Sequence, residues 1–121
     1  MQMWKLDDKK LRNKAGFWTS TDDWSLLKPG TRESILETDH TTVNIRNDFN
    51  ETYLEKSDDD DFGTSVVENY PQPDQDPQKW MIEKRANEKQ FFKLKHQESG
   101  KYLTATLLEC GHEHLTIKGK A

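Results

Sequence analysis

The sequence is poor in everything that would staple or span. Cys110 is the only cysteine, so no disulfide can form within the chain, and a single thiol favours a reducing, cytoplasmic setting over secretion. No apolar run approaches the ~18 residues of a membrane span. The first residues, Met1 to Asp8, also lack the long apolar stretch of a secretion signal. The 18 basic residues are outnumbered by 22 acidic ones: a formal net charge of -4 removes the general attraction to phosphate backbones, and nucleic acid is not an expected partner.

Hydrophobic residues make up only 31% of the chain and charged ones 33%, a balance that leans toward disorder. The four Trp, three Tyr and five Phe act against it, because each buries a large area and they are spread along the chain from Trp4 to Tyr102. At 121 residues there is material for one core, so a single domain over 1–121 with a polar surface is expected.

Helical periodicity is missing too. Apolar residues stand in short alternating or paired clusters separated by Gly, Pro, Asn and Asp, which is an all-β pattern. Three segments share one outline: Lys10 to Thr19, Val43 to Glu55 and Phe92 to Thr104. Aligned, they place Leu11, Ile45 and Leu94 in one column, Arg12, Arg46 and Lys95 in the next, and Trp18, Leu54 and Leu103 beyond a turn. The turns hold Ala15-Gly16, Asp48 to Asn50 and Ser99-Gly100, residues that tolerate positive φ, so three hairpins are predicted.

Further strands are predicted at 24–27 and 34–38 after the first hairpin, at 65–70 and 79–83 after the second, and at 114–118 after the third. The third repeat is one strand short, but Gln2-Met3-Trp4 at the start of the chain matches Gln78-Lys79-Trp80. An N-terminal strand therefore completes the third repeat. The expected architecture is twelve short strands in three four-strand repeats, approximately 8–40, 41–84 and 85–121 plus 1–7, closed so that few strand edges are exposed.

With its ordered hairpins and two Gln-x-Trp motifs, the sequence resembles the ricin-B-like (QxW) β-trefoil family along essentially its whole length. The third hairpin, through Ser99-Gly100-Lys101-Tyr102-Leu103, is also similar to fascin-like trefoils. The first repeat departs from the pattern. Ile35 or Leu36 stands where a Trp is expected, and Leu11 lies seven residues before Trp18 where Ile45 lies nine before Leu54. Trp4, Trp18 and Trp80 are expected in the core, with Trp24 placed there on general grounds of burial.

The resemblance implies carbohydrate binding by an Asp, an aromatic platform and a nearby amide: the ring stacks on the apolar face of a sugar and the polar groups take its hydroxyls. The Asp position carries over to Thr19, Glu55 and Thr104, and the platform of the second repeat falls at Asn69 with Tyr70 beside it. The candidate glycan site is therefore Glu55, Asp58, Asn69 and Tyr70. The plainer alternative has Glu55 as a surface charge and Tyr70 packed at a strand end.

Two metal readings are weaker on their own chemistry. Asp58 to Asp61 lacks the spaced ligands and distal Glu of a calcium loop, and reads as a solvated acidic loop. Cys110, His112 and His114 alternate as zinc ligands on a strand would, but a fourth ligand is not evident and Gly111 signals a turn. No cofactor is expected, and no residue spacing names a reaction, so an enzyme is not expected. The rival to a lectin is a protein-interaction or structural module, using the acidic loop at 56–63 and the loop at 70–77, with Pro71, Pro73 and Pro77, as its surface.

Overall fold

The computed structural model describes residues 2–14, 23–35, 42–57, 66–84, 90–107 and 113–118, with backbone only at 106, 107, 113 and 114. Among these residues every regular element is a strand except one 3-10 turn at Asp76–Gln78. The strands are β1 (Trp4–Asp7), β2 (Lys10–Asn13), β3 (Trp24–Leu27), β4 (Thr42–Asn47), β5 (Tyr53–Lys56), β6 (Val66–Asn69), β7 (Trp80–Lys84), β8 (Phe92–His96), β9 (Tyr102–Leu107) and β10 (Glu113–Lys118). The all-β β-trefoil expectation holds. Ten strands lie among the described residues, and the first hairpin is described only as far as Lys14.

Six strands form the barrel wall in the order β2-β1-β8-β7-β4-β3. At the ends of that order β2 and β3 lie beside each other. The hairpins β5-β6 and β9-β10 extend from it, joined through Arg46 opposite Tyr53 and Lys95 opposite Tyr102. As expected, β1 does the work of a missing strand. Trp4 lies opposite Asn13 on β2 and opposite Phe92 on β8, as Trp80 lies opposite His96 on β8 and opposite Val43 on β4.

The same register corrects one expectation. Trp24 lies opposite Asn47, and Leu26 opposite Ile45, just as Trp80 faces His96 and Ile82 faces Leu94. The tryptophan position of the first repeat is therefore filled by Trp24 and not by Ile35, while Leu36 lies outside the described residues. Of the strand expected at 34–38, the described part is a single bridge from Ser34 to Leu27. Ladder pairing decides the assignment, because it places Trp24 where its ring joins the core, and Trp4, Trp24 and Trp80 are all buried.

Alternation along each barrel strand sends Leu11, Ile45, Leu94, Ile82 and Leu26 into that core, with Phe92, Leu54, Leu103 and Ile117. Burying each such side chain stabilises the fold by roughly 1.5–3 kcal/mol, before the opposing loss of chain entropy is counted. The indole N–H of Trp4 donates to the carbonyl of Leu103 at 3.2 Å, and that of Trp80 to Leu54 at 3.2 Å. These matched bonds place Leu54 and Leu103 in the one column read from the sequence.

The β4-β5 and β8-β9 turns are also alike. Asn47 N–H donates to Thr52 and Glu51 N–H to Asn47; His96 N–H donates to Lys101 and Gly100 N–H to His96, at 2.7 to 2.8 Å. Positive φ falls at Glu51 (60°) and Gly100 (74°). In the second repeat the left-handed residue is thus Glu51, just past the expected Asp48 to Asn50, because the bond from N–H 51 to carbonyl 47 closes the turn there.

Candidate functional site

Glu55 sits on β5 opposite Val67, and Asn69 ends β6 opposite Tyr53. In an antiparallel pair directly opposed residues share a face, so Tyr53, Glu55, Val67 and Asn69 line one side of this hairpin. Tyr70 follows and is 64% exposed. Pro71 after it favours an extended backbone at Tyr70, and the Tyr70 N–H donates to Asn69 Oδ1 at 2.8 Å.

Gln78 holds these pieces together. Its side chain is completely buried, yet every polar atom of it is used. Nε2 donates to Glu55 Oε1 at 2.9 Å and to the main-chain oxygen of Tyr70 at 3.0 Å, while Oε1 accepts the Gln72 N–H at 2.7 Å. Gln72 Nε2 in turn donates to the Tyr70 hydroxyl at 3.3 Å. One core residue thereby fixes the carboxylate, the backbone under the exposed ring and the start of the following turn.

The segment from Tyr70 to Gln78 is clamped from the barrel as well. Asn44 Nδ2 donates to the carbonyl of Gln78 at 2.9 Å. His96 Nε2 lies 3.0 Å from the carbonyl of Pro77, an acceptor only, so this nitrogen carries the proton; Nδ1 then accepts from Ser99. Burial pushes the His96 pKa below its ordinary value of 6.5, against the bond to Pro77 and the negative charges of Glu98 and Asp76, which favour the cation.

The third repeat solves the same packing differently. Gln2, the counterpart of Gln78, donates to the carbonyl of Ala105 and accepts the Ala105 N–H, both at 2.8 Å, and accepts Asn13 Nδ2 at 2.9 Å. Thr104 stands where the second repeat has Glu55, and it is buried with its hydroxyl donating to the carbonyl of Tyr102. No carboxylate is presented there.

Of the four residues proposed from the sequence, the structure brings together Glu55, Asn69 and Tyr70, whereas Asp58 lies outside the described residues. Tyr70 does not pack at the strand end, and Glu55 is tied to the core rather than free in solvent. Sequence reasoning treated Gln78 only as a family marker and missed Asn44 and His96 as supports. The Gln-x-Trp motif is the local signal for Gln78, whose burial strand alternation does not explain, because it closes the 3-10 turn Asp76–Gln78 ahead of β7. Nothing local marks Asn44 or His96, whose partners lie far along the chain.

Among the described residues no three His, Cys, Asp or Glu side chains gather as a metal site. The acidic run 58–61, Cys110 and His112 fall outside those residues, and the His114 side chain is not described. Among the same residues no helix is long and apolar enough to cross a membrane.

No curated protein and no solved structure matched the chain. The model of the ricin-type β-trefoil lectin domain-like family matches residues 1–107, most of the length, in agreement with the barrel, the two Gln-x-Trp motifs and the strand completed from the N-terminus. This chain belongs to the ricin-type β-trefoil lectin-like family, a family of binding modules.

Proposed function

We propose that this domain is a non-catalytic carbohydrate-binding module whose sugar pocket is in the second repeat. The observation that carries the reading is the Gln78 bridge, which holds the Glu55 carboxylate and the backbone of Tyr70 at 2.9 and 3.0 Å while the Tyr70 ring remains exposed. An exposed aromatic face beside an oriented carboxylate suits a pyranose, with apolar C–H groups stacked on the ring and hydroxyls donating to the acid. Asn69 supplies the amide, and Asp58, just beyond β5, completes the proposed set. Thr104, buried in the matching position, argues against an equivalent pocket in the third repeat.

A panel of simple sugars and glycans, titrated while Trp and Tyr fluorescence is followed, tests this directly. Binding that is lost in both Tyr70→Ala and Glu55→Ala, with folding intact, is the expected result. Silence across the panel would overturn it.

One observation favours a protein partner as the second reading. Phe49 is 82% exposed at the tip of the β4-β5 hairpin, and Val67 is also exposed. A large apolar side chain at a loop tip is the kind of group a protein interface covers. Loss of a protein partner in Phe49→Ser, with sugar binding absent, would establish that alternative.

A further inference from the structure

A cleft of about 300 Å³, distinct from the Glu55 carboxylate, is lined by Arg32, Arg46, Asn50, Glu51, Tyr53 and Pro71. It brings two arginines to one concavity on a chain of net negative charge. Arg46 is fixed on β4 opposite Tyr53 and is only 17% exposed. Its Nε donates to Asp48 Oδ1 at 2.8 Å, and Asp48 is itself held through Oδ2 by the Ser25 hydroxyl at 2.6 Å, with Lys10 Nζ 4.0 Å away. With Nε so engaged, the guanidinium is held by one edge and its terminal nitrogens are the donors left for a ligand.

We propose that this cleft is an anion subsite that takes the carboxylate or sulfate group of an acidic saccharide between Arg32 and Arg46. A guanidinium fork matches the paired oxygens of such a group, and charge-assisted bonds of this kind are about twice as strong as neutral ones. A saccharide is favoured over a free anion because two walls of the cleft adjoin the proposed sugar site: Pro71 follows the Tyr70 platform, and Tyr53 lies opposite Asn69. A nucleic acid is disfavoured by the chain's net charge and by Glu51 on the rim, which repel a continuous phosphate backbone but can accommodate one well-placed anion. The inference rests on the sugar-binding reading and narrows it to acidic ligands.

The test compares a neutral oligosaccharide with its uronic-acid and sulfated counterparts, using the wild type, Arg32→Gln, Arg46→Gln and Glu51→Gln. The acidic ligands are expected to bind at least about tenfold more tightly than the neutral one and to weaken with added salt. Arg32→Gln is expected to remove about tenfold of that affinity while leaving neutral binding unchanged; Glu51→Gln is expected to raise acidic affinity several-fold by removing a like charge. Because Arg46→Gln also breaks the contact with Asp48, exposed Arg32 carries the decision and thermal melting monitors folding in every variant. Equal affinity for neutral and acidic ligands overturns the subsite, as does indifference to Arg32→Gln, or binding of inorganic sulfate or duplex DNA as tight as that of the saccharide. If neutral sugars then still bind through Tyr70, the sugar site stands without the cleft; silence of every saccharide overturns both.

Discussion

Gln78, fully buried, donates a 2.9 Å hydrogen bond to Glu55, and through that bond the core of the second repeat orients a surface carboxylate. Its counterpart Gln2 spends the same donor on the Ala105 backbone. The difference between a structural repeat and a candidate binding repeat is thus one hydrogen-bond acceptor.

Replacing Gln78 by Ala removes a fully buried side chain and takes one partner each from part-buried groups at Gln72, Tyr70 and Glu55. We expect a loss of ~2–4 kcal/mol, against ~1 kcal/mol for Glu55→Ala, since a group left without its partner away from water costs about 1–3 kcal/mol and Glu55 can turn to water. Urea unfolding of the two variants checks the ordering. Equal losses would mean that Gln78 does not organise the site.

Trp24 shares the register of Trp80 and its burial, so Trp24→Ala should be as damaging as Trp80→Ala, each by ~3–5 kcal/mol. A surface tryptophan would lose less than about 1 kcal/mol. Denaturant midpoints compared at constant m-value separate the two outcomes.

His96 makes stability depend on pH. Its folded pKa lies below 6.5, so the unfolded chain binds the proton more readily than the native one. The contribution of neutral His96 is therefore fully present above the unfolded value and is lost as pH falls below about 6.5 toward the folded pKa. Protonation would also turn Nδ1 from acceptor to donor toward the Ser99 N–H. Asn13 and Asn47 occupy the same column, so His96→Asn is expected to fold and to flatten the melting profile between pH 7 and pH 5. A profile as steep as the wild type's would assign the effect to other groups.

Glu51 adopts a φ of 60° where the equivalent residue of the third repeat is Gly100. A left-handed residue with a Cβ costs roughly 1–2 kcal/mol, partly offset by the greater unfolded entropy of glycine, so Glu51→Gly should stabilise by ~0.5–1 kcal/mol. Thermal melting should show a rise of a few degrees, and a fall would indicate that the Glu51 side chain supports the turn.

Much of this was legible before any coordinates. The columns Leu11/Ile45/Leu94 and Leu54/Leu103 depend on period-two burial and on turn residues at fixed offsets, which are local properties. The match of Gln2-Met3-Trp4 to Gln78-Lys79-Trp80 was legible for the same reason. The place of Trp24 was not, because the first repeat is irregular and its strand is identified by its ladder partner Asn47, not by its neighbours in the chain. The candidate site was half legible: the placing of Glu55, Asn69 and Tyr70 on one hairpin follows from the family pattern, while the contacts of Asn44 and His96 depend on bonds to Gln78 and Pro77, 34 and 19 residues away.

By itself the sequence determined the strand pattern, the repeat, the N-terminal completion of the barrel and the acidic surface, all consequences of side-chain periodicity, backbone preference and charge that act over a few residues. The tertiary structure alone decided which tryptophan completes the first repeat, which buried amide holds Glu55 and Tyr70 together, and that Arg32 and Arg46 share a cleft. Those relationships join residues far apart in the chain, and closure of the barrel is what sets the distances between them.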